Sequence, residues 1–207
     1  MGVISGNADG AAFGFDASLR HPLKKFRQTL SFSSLLTTDT TPNGKYARQI
    51  GGAYRLRYFW LPFFSSFVGG GISNQPLFGQ NLSASAQGGM ALHLFEKQKR
   101  SARMEAGYSR SHAEETPGGA SNSNGFFSSL TWSEPFTQTL SSDQTVVYET
   151  NLERLRGYSF ETDSAFVILL NDLLKLAFGF TAFFNKEPVA GYQQWDFVGF
   201  ATLITAF

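Results

Sequence analysis

Residues 174–185 read Leu-Lys-Leu-Ala-Phe-Gly-Phe-Thr-Ala-Phe-Phe-Asn and contain the pattern that best predicts the fold of this chain. From Leu174 onward, large apolar residues recur at every second position, and the positions between them are mostly small or polar. A period of two is typical of a β-strand with one apolar face. The pair Asn171-Asp172 before the run predicts a tight hairpin turn, because these residues favour turns. Beyond the run, a polar loop leads to a last strand from Trp195.

The length of these runs predicts which way the apolar face points. They extend over roughly ten residues or more, against about five or six for a strand of a globular protein. A strand that crosses a bilayer at a tilt needs about nine to eleven residues. In an outer-membrane barrel the apolar face contacts lipid and the polar face lines the lumen. The pattern therefore predicts a transmembrane barrel.

The same alternation recurs along the whole chain and predicts one all-β domain, residues 1–207. Short turns near His21, Trp60, Lys97, Pro135 and Asn171 alternate with connections that are mostly longer and more polar. Short periplasmic turns and longer external loops alternate in this way in antiparallel outer-membrane barrels. About eleven full strands follow residues 1–4, and bacterial barrels of one chain have even strand numbers. We therefore expect about twelve strands in the complete barrel, residues 1–4 being the stub of a first strand whose remainder, with a signal peptide, this chain lacks.

Composition excludes several other classes of protein. The 207 residues contain no Cys, so there is neither a disulfide framework nor a thiolate metal site. A net charge of +1 without a stripe of Lys and Arg argues against nucleic-acid binding. The segment 165–184 is long enough for a transmembrane helix, but Asp172 and Lys175 near its centre would cost about 2.5–3.5 kcal/mol each. We therefore interpret this segment as two strands.

The alternation assigns individual side chains to the lumen or to lipid. The charged residues assigned to the lumen are Asp16, Arg20, Arg27, Arg55, Arg57, Arg103, Glu105, Glu149, Asp163 and Lys175. The apolar residues assigned to lipid are Phe13, Phe15, Leu30, Phe32, Leu92, Leu94, Leu174, Leu176, Phe178 and Phe180.

Aromatic residues gather near the predicted ends of strands, as in the interfacial girdles of membrane barrels. The girdle residues are Tyr58, Trp60, Phe63, Trp132 and Trp195, and Phe59 lies within the same aromatic turn. We expect Phe207 to act as a C-terminal assembly signal for the barrel-assembly machinery. The other expected partners are outer-membrane lipids and lipopolysaccharide, with other envelope proteins as further candidates and no nucleic acid.

Several short motifs, spread in order over the chain, resemble the salt-induced outer-membrane proteins, a bacterial family of unknown function. The matching segments are Ser5-Gly6-Asn7-x-Asp9, Glu105-Ala106-Gly107-Tyr108, Asn171-Asp172-Leu173-Leu174-Lys175-Leu176, Asn185-x-Glu187-Pro188-x-x-Gly191, Asp196 and Phe207. The resemblance implies an outer-membrane barrel with a structural or stress-related role, and it provides no catalytic or binding residues. The last strand departs from the pattern, because its second face is apolar.

The lumen charges have two interpretations. Paired charges would fill the interior, since an unpaired charge in a narrow lumen is costly; alternatively, the arginines would make a narrow channel that favours anions. Twelve strands lie between the roughly eight that only side chains fill and the larger aqueous porins. A soluble ligand-binding barrel is the structural rival, with Phe13, Phe15, Phe178 and Phe180 inside and Arg55, Arg57 and Lys175 in water. We favour the filled or very narrow interior and a non-enzymatic envelope protein, with the narrow channel for small solutes or ions as the alternative.

Enzyme activity is the third alternative. His112 lies beside Ser111 and close to Glu114, a combination that could form a lipid-facing hydrolase site. Consecutive residues of a strand point to opposite faces, however, so Ser111 and His112 cannot aim at one point. We expect His93 to be a hydrogen-bonded residue of the lumen and His21 to lie in a turn. No catalytic, cofactor-binding or metal-binding residue is therefore predicted.

Overall fold

A computed structural model of the chain describes residues 2–5, 10–39, 46–75, 80–97, 100–115, 119–153, 157–171, 174–188 and 193–205. Within them the chain forms twelve strands. These are β1 (Gly2–Ser5), β2 (Gly10–Leu23), β3 (Phe26–Asp39), β4 (Tyr46–Leu61), β5 (Phe64–Gln75), β6 (Gln80–Lys97), β7 (Arg100–Glu115), β8 (Ala120–Pro135), β9 (Leu140–Asn151), β10 (Tyr158–Leu169), β11 (Leu174–Asn185) and β12 (Trp195–Thr205).

The strands form one closed antiparallel barrel. Each strand pairs with its neighbours in sequence, and β1 closes the ring by pairing with β12. β1 has four residues, whereas the other eleven described strands have 11–18. The predicted all-β antiparallel barrel is confirmed, and the expectation about the rest of the first strand stays a prediction. In the described part of the chain, no helix is long and apolar enough to cross a membrane.

Two contacts identify the inner face of the sheet. Arg55 on β4 bonds to Glu105 on β7, and Phe67 on β5 packs against Phe127 on β8 with ring centroids 5.9 Å apart. In each pair two other strands separate the partners, so the side chains meet only across the interior of the ring. Side chains alternate along a strand, and residues paired directly across two strands share a face. These contacts therefore define the lumen face throughout the ladder.

The outer face is apolar. Phe178 and Phe180 are 41% and 47% exposed, whereas Lys175 lies on the opposite face, which the ladder connects to Glu105. This orientation contradicts the soluble alternative, in which these two phenylalanines would line a cavity. Of the other residues assigned to lipid, Leu30, Phe32, Leu92 and Leu94 are exposed, and Leu174 and Leu176 are half-buried. The side chains of Phe13 and Phe15 are not among those that the structure describes.

Aromatic rings contact one another near both ends of the barrel. Near the short connections, Tyr58 lies between Phe26 and Trp60, with ring centroids 4.9 and 4.7 Å away. Near the long connections, Trp195 contacts Phe184 at 4.8 Å. The rings Tyr148, Tyr158, Phe184, Trp195 and Phe197 form a continuous series there. Of the remaining girdle residues, Phe63 is exposed and Trp132 half-buried, while Phe207 lies outside the described residues.

Three sequence expectations need correction. The residues His21 and Pro22 lie inside β2, whose turn is at 24–25. β10 ends at Leu169 and β11 begins at Leu174, and Leu170 N donates to Leu174 O at 2.9 Å, so the turn is longer than the two residues Asn171-Asp172. Asn171 Oδ1 accepts a hydrogen bond from Leu174 N at 2.9 Å. The Phe59 ring, predicted within the aromatic turn, faces the lumen, where it lies 5.2 Å from the His93 ring. In each case local composition identified the turn but not which residues continue the ladder.

Two glycines provide space inside the barrel. Gly89 on β6 and Gly107 on β7 are paired directly, and on either side of them the ladder reaches Phe67 and Phe127. A Cβ at Gly89 would overlap the carbonyl oxygen of Ala106, and a Cβ at Gly107 would overlap that of Gly88. Because neither position has a side chain, the two rings meet above this part of the wall. The aromatic pair therefore fills the β5–β8 side of the lumen.

Candidate functional site

Five arginines from four strands surround one cavity in the lumen. Its volume is about 250 Å³. The lining residues are Arg20 of β2, Arg27, Thr29 and Ser31 of β3, Ala53, Tyr54, Arg55 and Arg57 of β4, Gln87 of β6 and Arg103 of β7. We call Arg20, Arg27, Arg55, Arg57 and Arg103 the arginine cluster. The sequence assigned all five to the lumen, and the structure brings them together.

Glu105 bridges three members of the cluster. Arg55 Nη1 donates to Glu105 Oε2 at 2.8 Å, and Arg57 Nη2 donates to Oε1. Arg103 Nε forms an ion pair with Oε1 at 2.8 Å, without the angle of a hydrogen bond. The side chain of Glu105 is only 3% exposed, so this carboxylate is desolvated and held by three cations. Glu105 by itself therefore balances only one of the five positive charges of the cluster.

Aromatic rings support the guanidinium groups. Arg27 lies over the Phe59 ring at 4.9 Å, and Arg55 lies over the Phe67 ring at 4.8 Å. Arg57 lies over Phe67 as well, at 5.7 Å. A guanidinium that covers an aromatic face gains cation–π attraction and keeps its N–H donors at its edge. The rings therefore position these side chains before any ligand binds.

A buried polar pair lies next to the cluster. His93 Nε2 is 3.0 Å from Ser65 Oγ and 3.3 Å from Arg57 Nη1. Ser65 has no exposed surface, and His93 is 8% exposed, so solvent and substrates do not reach the hydroxyl. The pair acts as a hydrogen-bonded part of the wall, which is the role predicted for His93. Sequence alternation could have identified Ser65 as a lumen residue, but not its histidine partner on the next strand, 28 residues away.

The two halves of the barrel carry opposite charges. Among the described side chains of β2–β7, the lumen face has the arginine cluster and one carboxylate, Glu105. On β8–β12 it has the carboxylates Asp143, Glu149, Glu161, Asp163 and Asp196, with one cation, Lys175. We call these five carboxylates the acidic wall. The formal charges are +4 and −4, and β4 is six strands from β10 in the ring of twelve, so the two charged walls face each other.

Several acidic residues were not named by the sequence interpretation. It assigned Glu149, Asp163 and Lys175 to the lumen, and the ladder places them there. It omitted Asp143, Glu161 and Asp196, although the spacing of Glu161 and Asp163 by two residues carries the signal. Asp163 Oδ1 accepts a hydrogen bond from Thr181 Oγ1 across β10 and β11. The side chain of Asp16 lies outside the described ones.

The residues of the hydrolase alternative do not meet. His112 Nδ1 lies 2.9 Å from Asn122 Oδ1, and Ser111 Oγ lies 2.6 Å from Ser123 Oγ. The two pairs are on opposite faces of the β7–β8 ladder, because Ser111 and His112 are consecutive. No Ser–His–carboxylate arrangement therefore forms there. Among the described residues, no group of three or more His, Asp or Glu could hold a metal ion.

Comparison of the sequence with models of protein families shows which family the chain belongs to. The family model "Protein of unknown function, DUF481" matches residues 1–207. The chain belongs to this family. The match covers every residue of the chain, whereas the resemblance to salt-induced proteins remains an expectation. No curated protein matched the sequence.

Comparison with solved structures supports the fold. The chain is similar to a NanC porin, solved in a rhombohedral crystal form, with a TM-score of 0.68. The similarity covers 100% of this chain and 97% of the porin, at 6% sequence identity. At this identity the likeness concerns the fold alone. With the apolar outer face, it shows that this DUF481 protein is a transmembrane β-barrel.

Proposed function

We propose that this protein is a narrow channel for small polar solutes and ions in the bacterial outer membrane. The observation that carries this proposal is the cavity of about 250 Å³ inside the barrel, which is walled by arginines and polar side chains. A lumen filled completely by paired side chains would leave no cavity of this size, because protein interiors are close-packed. The porin-like fold supports the same function.

The size of the barrel agrees with a narrow passage. Twelve strands about 4.8 Å apart and tilted by about 40° give a backbone ring roughly 24 Å across. Long side chains project into this ring from both charged walls, and the Phe67–Phe127 pair fills one side. The passage is therefore confined to the region between the arginine cluster and the acidic wall. Such a bore admits small hydrated solutes and excludes polymers.

A structural or envelope-stress role, without transport, is the second candidate. It follows from the resemblance described above and from the ion pairs of Glu105, which tie β4 to β7 across the lumen. Such cross-lumen pairs would stiffen the barrel whether or not it conducts. The two functions differ in one measurable property, the current through a single barrel.

The test is single-channel conductance of the refolded chain in planar bilayers. We expect small, discrete current steps. Replacement of Ser31, which lines the cavity, by Trp should reduce the conductance, because the larger side chain would occupy the passage. Phe32→Trp is the matched control, since Phe32 is the next residue of β3 and faces lipid.

The interpretation depends on a folded barrel, which heat-modifiable migration on gels establishes for each variant. Absence of conductance in folded protein would contradict the channel and favour the structural role. Equal conductance of the Ser31→Trp and Phe32→Trp variants would show that the current does not pass through this cavity.

A further inference from the structure

We propose that the arginine cluster is a binding site for a small, doubly charged oxyanion of the phosphate class. The proposal deepens the channel function, because it names the solute that the cavity holds, and it requires an open lumen. It does not require that the barrel conducts.

The lining of the cavity is strongly positive. Its ten lining residues include five arginines and no carboxylate, and Glu105 pairs with three of these arginines. Arg57 is buried at 5% side-chain exposure, whereas Arg55 and Arg103 remain 30% and 33% exposed to the cavity. Bringing cations together in a partly desolvated space is unfavourable without anions. A doubly charged anion compensates more of this charge than chloride does.

The cluster has more hydrogen-bond donors than Glu105 can accept from. Each guanidinium has five N–H donors and no acceptor, whereas the two carboxylate oxygens of Glu105 offer about four lone-pair positions to three arginines. Most donors of the cluster are therefore not used by Glu105. The contacts of Arg27 with the Phe59 ring and of Arg55 with the Phe67 ring hold these two groups in place. Planar groups held in this way bind phosphate and carboxylate oxygens in a bidentate manner.

The size of the cavity suits a small anion. A cavity of about 250 Å³ holds roughly eight water molecules at about 30 Å³ each. Inorganic phosphate or a small phosphorylated or dicarboxylic compound fits this volume together with bridging water. Thr29, Ser31 and Gln87 add neutral hydrogen-bonding side chains to the lining. On the other side of the barrel the acidic wall repels an anion, which keeps it on the arginine side.

The test is isothermal titration calorimetry of the full-length folded barrel in detergent, with inorganic phosphate as the probe. Measurements at pH 8 and low ionic strength keep phosphate doubly charged and limit screening. We expect one site per chain and weaker binding at higher salt. The double variant Arg55→Gln/Arg103→Gln should weaken binding by about tenfold or more for each arginine removed, since each loses charge-assisted hydrogen bonds.

Arg100→Gln is the matched control. Arg100 lies on β7, like Arg103, but outside the cluster, and its Nε donates to Glu134 Oε2 at 2.7 Å. This variant should bind phosphate like the unmodified chain. Arg20→Gln, which replaces an exposed member of the cluster, supplies a second test if the double variant does not fold. Succinate, tested separately, distinguishes a general site for two negative charges from one that requires phosphate geometry.

Each outcome separates this proposal from the channel function. Undetectable phosphate binding, or binding that is equal in the Arg55→Gln/Arg103→Gln and Arg100→Gln variants, would overturn the site even if the barrel conducts. Phosphate binding that depends on the cluster would support the site even if no current is found, in which case only the channel fails. Tighter binding of succinate than of phosphate would contradict the phosphate class and leave a dicarboxylate site.

Discussion

Glu105 is the residue on which the arginine cluster depends. It is the carboxylate that bonds Arg55 and Arg57 of β4 and pairs with Arg103 of its own strand, and it is almost completely buried. Without its negative charge, Arg57 would keep a buried positive charge beside two other cations. The consequence for stability is therefore larger than that of an ordinary surface ion pair.

Glu105→Gln should destabilise the barrel strongly. Removing one partner from a buried ion pair costs about 3–5 kcal/mol, because the remaining charge stays desolvated. The measurement is urea unfolding of the barrel inserted in lipid vesicles. Glu134→Gln serves as the control, since its partner Arg100 is 59% exposed and such a pair contributes about 1 kcal/mol or less. Similar losses in both variants would show that Glu105 does not organise the cluster.

For a single residue, sequence alternation predicts which face of the sheet its side chain occupies, but not which side chains it contacts. Every described residue assigned to the lumen lies on the lumen face of the ladder, because a period of two follows directly from strand geometry. The contact between Glu105 and Arg55 joins strands that are not neighbours. It depends on the number of strands, their stagger and closure, which no local pattern contains.

Among the strands, β6 and β7 are distinctive because, where Gly89 pairs with Gly107, neither strand has a side chain that points into the lumen. Gly89 and Gly107 are paired there, and Phe67 and Phe127 cover them from the two flanking strands. Glycine is required because any Cβ would overlap backbone of the opposite strand. The close approach of the two strands and the packing of the two aromatic rings therefore both depend on these glycines.

Gly89→Ala should lower stability by about 1–3 kcal/mol, the usual cost of overpacking. Gly88→Ala is the matched control: a Cβ there makes ordinary contact, 3.6 Å from the carbonyl oxygen of Phe67. Both variants change strand propensity equally, so their difference in urea midpoint isolates the overlap. The explanation fails if Gly88→Ala is as unstable as Gly89→Ala.

The sequence predicted the presence of the strands better than the residues at which they begin and end. The repeated alternation and the alternating short and long connections correctly predicted an antiparallel barrel, because both follow from chain geometry. The ends differ where turn-forming residues continue a ladder, as His21 and Pro22 do in β2. Phe59 shows the limit for aromatic residues: membrane interfaces and lumen packing favour the same side chain, and only its position in the register separates them.

At the scale of the whole molecule, the lumen is divided into a positive and a negative half. The formal charges of the described side chains on the lumen face cancel overall, so the net charge of the lumen predicts no preference between anions and cations. The preference depends instead on which wall lies closer to the path of the ion. Changing one wall should therefore shift selectivity in a defined direction.

Glu161→Gln/Asp163→Asn should increase the permeability of anions relative to cations, since two negative charges leave the acidic wall. Lys175→Gln should shift it in the opposite direction, because it removes the cation of that half. The measurement is the reversal potential of the open channel in a KCl gradient, and the shift should diminish at high salt. Glu134→Gln, which removes a carboxylate outside the lumen, is the control. Unchanged reversal potentials in all lumen variants would contradict a path between the charged walls.

The Phe67–Phe127 packing has a practical consequence for engineering. Mechanical support comes from the rings and glycines of β5–β8, while the acidic wall is on β9, β10 and β12. In a sensor built from this barrel, the residues of the acidic wall could be replaced, for instance by aromatic or metal-chelating side chains, without disturbing that support. An analyte bound to the arginines would then contact, and be detected by, the new side chains on the opposite wall.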